Sequence, residues 1–367
     1  MGKVKKTKGE GKKGKGKGAR YDGKWDKNPT CQIIDWQRHM QTCKRLNDEK
    51  SLYQAGDLLR RLWLTLRASA FVSNLDAVDV QRDGRIQVFE QRVQNRYPDP
   101  FRHEIFRDDG VKEAILCDRA SGDAIEHMRS ITSLVLQQTG LVSDLKEIKV
   151  LVHPGYYEVT SLFRDAQNPD YTPLSPMYPR QSTRKALNDK NNKLEQRLLE
   201  HRLFVACLNS DDEVFAVDLS GAHFEIYDSV LPWNTYAAMR NIHEEDVTAY
   251  VFGTHDEKEY MRCDEDGIRY YQLMAFNARR TEYLLQAWLQ RDGYSVAKFI
   301  SLKSSIFEDK LADLEKYVTR GLDQTQYLAM NCGELMVDWY LATDEELKAS
   351  LLHGRAQILQ QADAQLP

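Results

Sequence analysis

Apolar side chains recur at helical spacing from residue 51 onward. Leu52, Ala55, Leu59, Leu62, Leu66 and Ala70 share one face of a 3.6-residue period, which predicts a helix buried along that stripe. Ser51 with Gln54 has the form of a capping box, so the helix is expected to start at Ser51. The period then changes to two. Val78, Val80, Ile86 and Val88 flank Asp83-Gly84 and predict a hairpin. Helical spacing returns over residues 111–138, around Ala114, Ile115, Ile125, Met128, Ile131 and Val135. Residues 147–153 read as a strand, and 203–208 with 214–219 as a second hairpin turning at 209–212. Pro232-Trp233 reads as a helix start with proline in the first turn. Further helices are expected near 274–291, 306–320 and 343–363. Strands and helices mix without strict alternation. The fold class expected is therefore α+β, with mixed helices and antiparallel strands in one large body.

Composition changes the picture at the N-terminus. Residues 1–20 hold eight Lys, one Arg and one Glu, a charge of +8, while the whole chain carries −4. The remainder therefore sums to −12, so a basic tail precedes an acidic body. Residues 1–24 are Gly and Lys with little that packs, and are expected to be disordered. Gly11 to Gly16-Lys17 has the spacing of a phosphate loop. Gly18 stands where the Mg²⁺-binding Ser or Thr belongs, and no strand precedes it, so nucleotide binding is not expected. The tail offers non-specific contact with nucleic acid, without a stacking platform. No apolar run reaches the length of a membrane span, and the N-terminus lacks a signal peptide's apolar core. An intracellular protein of cytoplasm or nucleus, away from membranes, is expected. Pro169, Pro173, Pro176 and Pro179 mark a long mobile loop near 164–193. The expected layout is a tail over 1–24, a distinct segment over 25–46, a body over 47–345 and a C-terminal helix or tail over 346–367.

The distinct segment carries the most specific pattern in the chain. Residues 31–43 read Cys31-Gln32-Ile33-Ile34-Asp35-Trp36-Gln37-Arg38-His39-Met40-Gln41-Thr42-Cys43. This run resembles the last third of a MYND-type zinc finger of the filamentous-fungal kind. Ala55-Gly56-Asp57-Leu58-Leu59 and Ala216-Val217-Asp218-Leu219-Ser220-Gly221-Ala222-His223, followed by Pro232-Trp233 and Tyr236, are similar to the domain that follows such fingers. Ser220 and His223 depart from that family's commoner pattern. An intact finger holds two zinc ions with seven cysteines and one histidine, and presents a groove for proline-containing peptides. The resemblance implies that Cys31 matches the sixth ligand, His39 the seventh and Cys43 the eighth. Cys31 then serves one ion alone, and His39 with Cys43 the other. Neither ion reaches the four donors that zinc requires. No cysteine precedes Cys31. A missing upstream exon, a displaced start and decay each account for that. The metal residues Cys31, His39 and Cys43 are thus an incomplete remnant, and no zinc is expected in this chain. Read without the resemblance, 31–43 is an amphipathic helix that packs through Ile33, Trp36 and Met40.

Other constellations are less specific. Asp218 and His223 flank Gly221 and suit either backbone capping in a turn or an acid–base pair. His243-Glu244-Glu245-Asp246 and His255-Asp256 lack the helical spacing of a metal site and read as a solvated acidic face. Cys117, Cys207, Cys263 and Cys332 stand singly and read as free buried thiols, with no nucleophile motif around any of them. The first functional expectation is a protein-interaction protein related to MYND-finger proteins, with protein partners. The alternatives are an enzyme with its site near Asp218, Gly221 and His223, and a nucleic-acid-associated protein acting through the tail.

Overall fold

The structure, a computed structural model, describes residues 29–71, 74–82, 84–91, 101–118, 120–152, 159–164, 172–173, 199–210, 213–252, 265–342 and 345–364. The basic tail, most of the proline-rich loop near 164–193, His255-Asp256 and Cys263 lie outside the described residues. The chain divides into two compact units, 1–43 and 44–367.

The first helix, α1, spans Pro29–Ser69. It does not begin at Ser51. Pro29 suits the first helical turn, and no proline follows it before Ser69. The local capping signal at Ser51 therefore lies inside a longer helix and goes unused. The predicted stripe is correct: Leu52, Ala55, Leu59, Leu62, Leu66 and Ala70 are all buried, joined by Trp63. The hairpin follows as β1 (Asn74–Val80) and β2 (Ile86–Gln91), with Gly84 in the turn at φ +86°. Helix α2 (Asp109–Cys117) is capped by Asp108, whose carboxylate accepts from the Val111 amide at 3.1 Å. Helix α3 (Ser121–Thr132) continues into a π-helical turn, Ser133–Gln137.

The strands β3 (Val142–Val152), β6 (Leu199–Leu208), β7 (Val214–Val217), β8 (Val230–Pro232) and β9 (Val247–Val251) form a five-stranded antiparallel sheet in the order β8-β7-β6-β3-β9. The strands β4 (Val159–Arg164) and β5 (Thr172–Pro173) complete a second sheet, β1-β2-β4-β5, in which β2 and β4 run parallel. Helix α4 (Trp233–Arg240) follows β8 directly, with Pro232 as its cap residue rather than inside its first turn. Helices α5 (Glu265–Arg291), α6 (Val296–Ile300), α7 (Ser304–Leu341) and α8 (Glu345–Ala364) close the chain.

The protein is thus α+β. One core joins α1 to β6, α5 and α7 through Leu59, Trp63, Phe204, Leu285, Trp288 and Leu314. A second cluster lies under α4, around Val150, Leu203, Phe224 and Tyr236. Among the described residues, no helix is long and apolar enough to cross a membrane.

Candidate functional site

Two groups of residues carry chemistry. The first lies in the N-terminal half of α1. Residues 31–43 are helical. His39 and Cys43 sit one turn apart, and the Cys43 Sγ lies 3.5 Å from His39 Nε2. The Trp36 ring leans over His39, with centroids 6.2 Å apart. Trp36 and Met40 do not pack as an amphipathic helix would require: they are 62% and 50% exposed. Every side chain from His39 to Asn47 is exposed as well. The side chain of Cys31 lies outside the described residues. Among the described residues there is no group of three or more His, Cys, Asp or Glu side chains placed to hold a metal ion. Among the described residues the fit to a two-zinc finger fails: His39 and Cys43 are two donors where each ion needs four.

The second group is built where β6, β7 and α4 meet. Asp218 follows the last residue of β7, and its amide donates to the Ser229 carbonyl at 2.9 Å. Its carboxylate is a shared acceptor. Oδ2 accepts from His201 Nε2 on β6 at 2.8 Å and from the Tyr236 hydroxyl on α4 at 2.8 Å. Oδ1 accepts from the Ser220 amide at 3.0 Å. Burial would raise the Asp218 pKa, but His201, Tyr236 and the Ser220 amide outweigh it and hold the carboxyl below its usual value. Burial and the Asp218 charge push the Tyr236 phenol well above its usual value.

His223 is in the same cluster but does not touch the carboxylate. It lies in a 3₁₀ turn, Gly221–Phe224, and its Nδ1 donates to the Ser220 carbonyl at 3.1 Å. Its ring is 6.0 Å from that of His201. Burial, then the neighbouring His201, pushes His223 down to about 3, so it is neutral at physiological pH. The sequence pairing of Asp218 with His223 is thus corrected: the imidazole on Asp218 belongs to His201. Nothing local in the sequence marks His201, because the hairpin β6–β7 brings it there from seventeen positions upstream.

The cluster is sealed. His201, Ser220, Asp218 and Tyr236 are at most 2% exposed, and His223 is 7% exposed. The His201 Nδ1 and Ser220 Oγ are buried without a hydrogen-bond partner. A cleft of about 390 Å³ between α1 and α7 is lined by Glu49, Lys50, Tyr53, Gln54, Asp57 and Glu308, and neither Asp218 nor His223 reaches it. The residue types suit proton transfer, but the geometry is that of a packed polar hub holding two strands, a turn and a helix together.

The stretches Ala55–Leu59 and Ala216–His223 both adjoin Ser229. A Cβ on Gly56 would collide with Val230 Cγ2 and sit 2.8 Å from Ser229 Oγ, so only glycine lets α1 approach β8 this closely. Asp57 accepts a hydrogen bond from the Ser229 hydroxyl at 3.1 Å. Ser229 in turn accepts from the Asp218 amide. At the turn itself, a Cβ on Gly221 would lie 2.8 Å from Asp218 Oδ2. Both stretches therefore serve one junction.

The remaining candidates fall apart in space. His243 caps the acidic 3₁₀ turn Glu244–Asp246 at the surface, as a solvated face should. Cys117 is buried, with its thiol pushed up to about 12 by burial, and Cys332 is buried too. Cys207 is only half-buried, since it faces the outer side of β6. No family model, no curated protein and no solved structure matches the chain.

Proposed function

We propose that this chain is a protein-interaction protein, related to MYND-type zinc-finger proteins, that presents the first half of α1 to a protein partner. The observation that carries the reading is the exposure of Trp36 and Met40, 62% and 50%, on one face of a helix. Tryptophan and methionine in water are costly, and both residue types are concentrated at protein interfaces. An exposed helical face of this kind suits insertion into a groove of a partner. The Asp218 cluster supports the same reading from the other side. Its candidate acid–base residues are engaged in holding the fold.

The test is site-specific photocross-linking of the full chain in extract from its native cells. A photoreactive p-benzoylphenylalanine is placed at Met40, and as a control at Leu352, which is 43% exposed on α8. Discrete protein adducts from Met40 that are absent from Leu352 are expected. An absence of adducts from Met40, or the same adducts from both positions, overturns the reading.

A further inference from the structure

Leu46, Glu49, Lys50, Tyr53, Gln54 and Asp57 recur three and four apart along α1, so they share one helical face, and all six line the cleft against α7. Of the residues lining the cleft only Gln54 is buried, at 6% exposed, and it forms the floor. Its amide oxygen and nitrogen are both without a hydrogen-bond partner. Because α1 runs on through Ser51, the capping role that the sequence offers Gln54 is absent. An orphaned buried amide is a net cost to the fold, whereas an apolar side chain of the same shape is not. The charge around the amide is acidic. Glu308 is paired with Arg61 at 3.1 Å, and the Lys50 amine donates to the Leu302 carbonyl at 2.7 Å. Glu49 and Asp57 make no ion pair among the described residues. One Asp57 oxygen accepts from Ser229, which leaves the other open. Burial pushes the Asp57 carboxyl above its usual value and Glu308 adds to it, so Asp57 gains from a cation beside it. Glu49 and Asp57 stand eight residues apart, about 12 Å of helical rise, with Tyr53 and Gln54 between them. Among the described residues, no carboxylates are grouped to hold a metal ion. The spacing suits a long organic cation instead.

We propose that this cleft binds a linear aliphatic polyamine. One ammonium group meets Glu49 and another meets Asp57, in charge-assisted hydrogen bonds. The methylenes between them run past the Tyr53 ring. With a small turn of its side chain, Gln54 presents its amide oxygen to an amine N–H and gains the partner it lacks in the free chain. An extended chain of about ten heavy atoms, at roughly 1.2 Å per bond, spans the distance between the carboxylates. The cleft, of about 390 Å³, is large enough to hold it. This site does not depend on the interaction reading and goes beyond it.

The test is isothermal titration calorimetry of the full chain with spermidine, accompanied by thermal melts. A heptanediol of similar length serves as the uncharged control, and magnesium as a compact dication. The expected result is saturable binding of one spermidine per chain that raises the melting temperature, with no such binding of the diol or of magnesium. Glu49→Gln and Asp57→Asn should each weaken spermidine binding about tenfold, while Glu244→Gln, on the exposed acidic turn, should leave it unchanged. Gln54→Met is the decisive variant. It should weaken binding about tenfold while the melting temperature of the free chain stays level or rises, since the orphaned amide is gone. An absence of saturable binding overturns the proposal, as does equal binding of the diol or magnesium. So does an equal loss in Glu244→Gln, which would mean diffuse attraction to an acidic surface. Unchanged affinity in Gln54→Met, or a lowered melting temperature of the free Gln54→Met chain, overturns the role given to Gln54 and the proposal with it.

Discussion

Replacing the Asp218 carboxylate removes the common acceptor of His201, Tyr236 and the Ser220 amide. Asp218→Asn keeps the shape but turns one acceptor oxygen into a donor, facing groups that are themselves donors. The loss should be about 3 kcal/mol, seen as a lower urea midpoint with an unchanged denaturant slope. A midpoint within error of the parent's would contradict the role assigned to this cluster. Acid should act earlier, through histidine. Burial holds His223 at about 3 and His127 at about 4, both below the unfolded value near 6.5. Below that value the unfolded chain takes up protons that the folded chain refuses, so stability falls as pH falls. At pH 5 each histidine should cost about 2 kcal/mol relative to pH 7.5. Asp218 acts only lower: its contribution is present above the unfolded carboxylate value near 4 and is lost as pH falls through its depressed folded value. Urea denaturation at pH 7.5 and pH 5 checks this, and equal stability at both would contradict it. At this scale the sequence placed Asp218, Gly221, His223 and Tyr236 in one region. It could not place His201, which arrives through strand pairing with Phe204 opposite Val217.

At the scale of elements, the junction of α1 with β8 is the tightest constraint on the fold. Gly56 sits inside a helix, where glycine is ordinarily unfavourable, and its reason is the contact with Ser229 and Val230. Gly56→Ala should gain helix propensity yet lose stability by roughly 1–3 kcal/mol, because the new methyl forces α1 away from β8. A thermal melt checks it, and a raised melting temperature would mean that the junction yields freely. The buried stripe of α1 was legible because its period is long and regular. Its start was not, because the capping pattern at Ser51 is a short local signal overridden by twenty-two further helical residues upstream. The hairpins β1–β2 and β6–β7 were legible from alternation and turn residues. The edge strand β9 was missed, since its half-exposed pattern lacks clean alternation. The parallel pairing of β2 with β4 joins distant segments and leaves no local trace in the sequence.

At the scale of the whole molecule, the α+β class followed from the irregular mixture of helical and strand periods. The candidate site was legible only in part. The pattern Cys31 to Cys43 pointed to zinc and to protein partners, and the count of donors argued against a metal in this chain. Periodicity also predicted that Trp36 and Met40 pack, whereas the structure exposes them. That reversal moves the weight of the account from the body, where Asp218 is sealed, to the surface of α1. The comparison of photocross-links from Met40 and Leu352 in the full chain tests this most directly. Discrete protein adducts formed from Met40 and missing from Leu352 are the predicted result. Silence at Met40, or an identical pattern at the two positions, would contradict it.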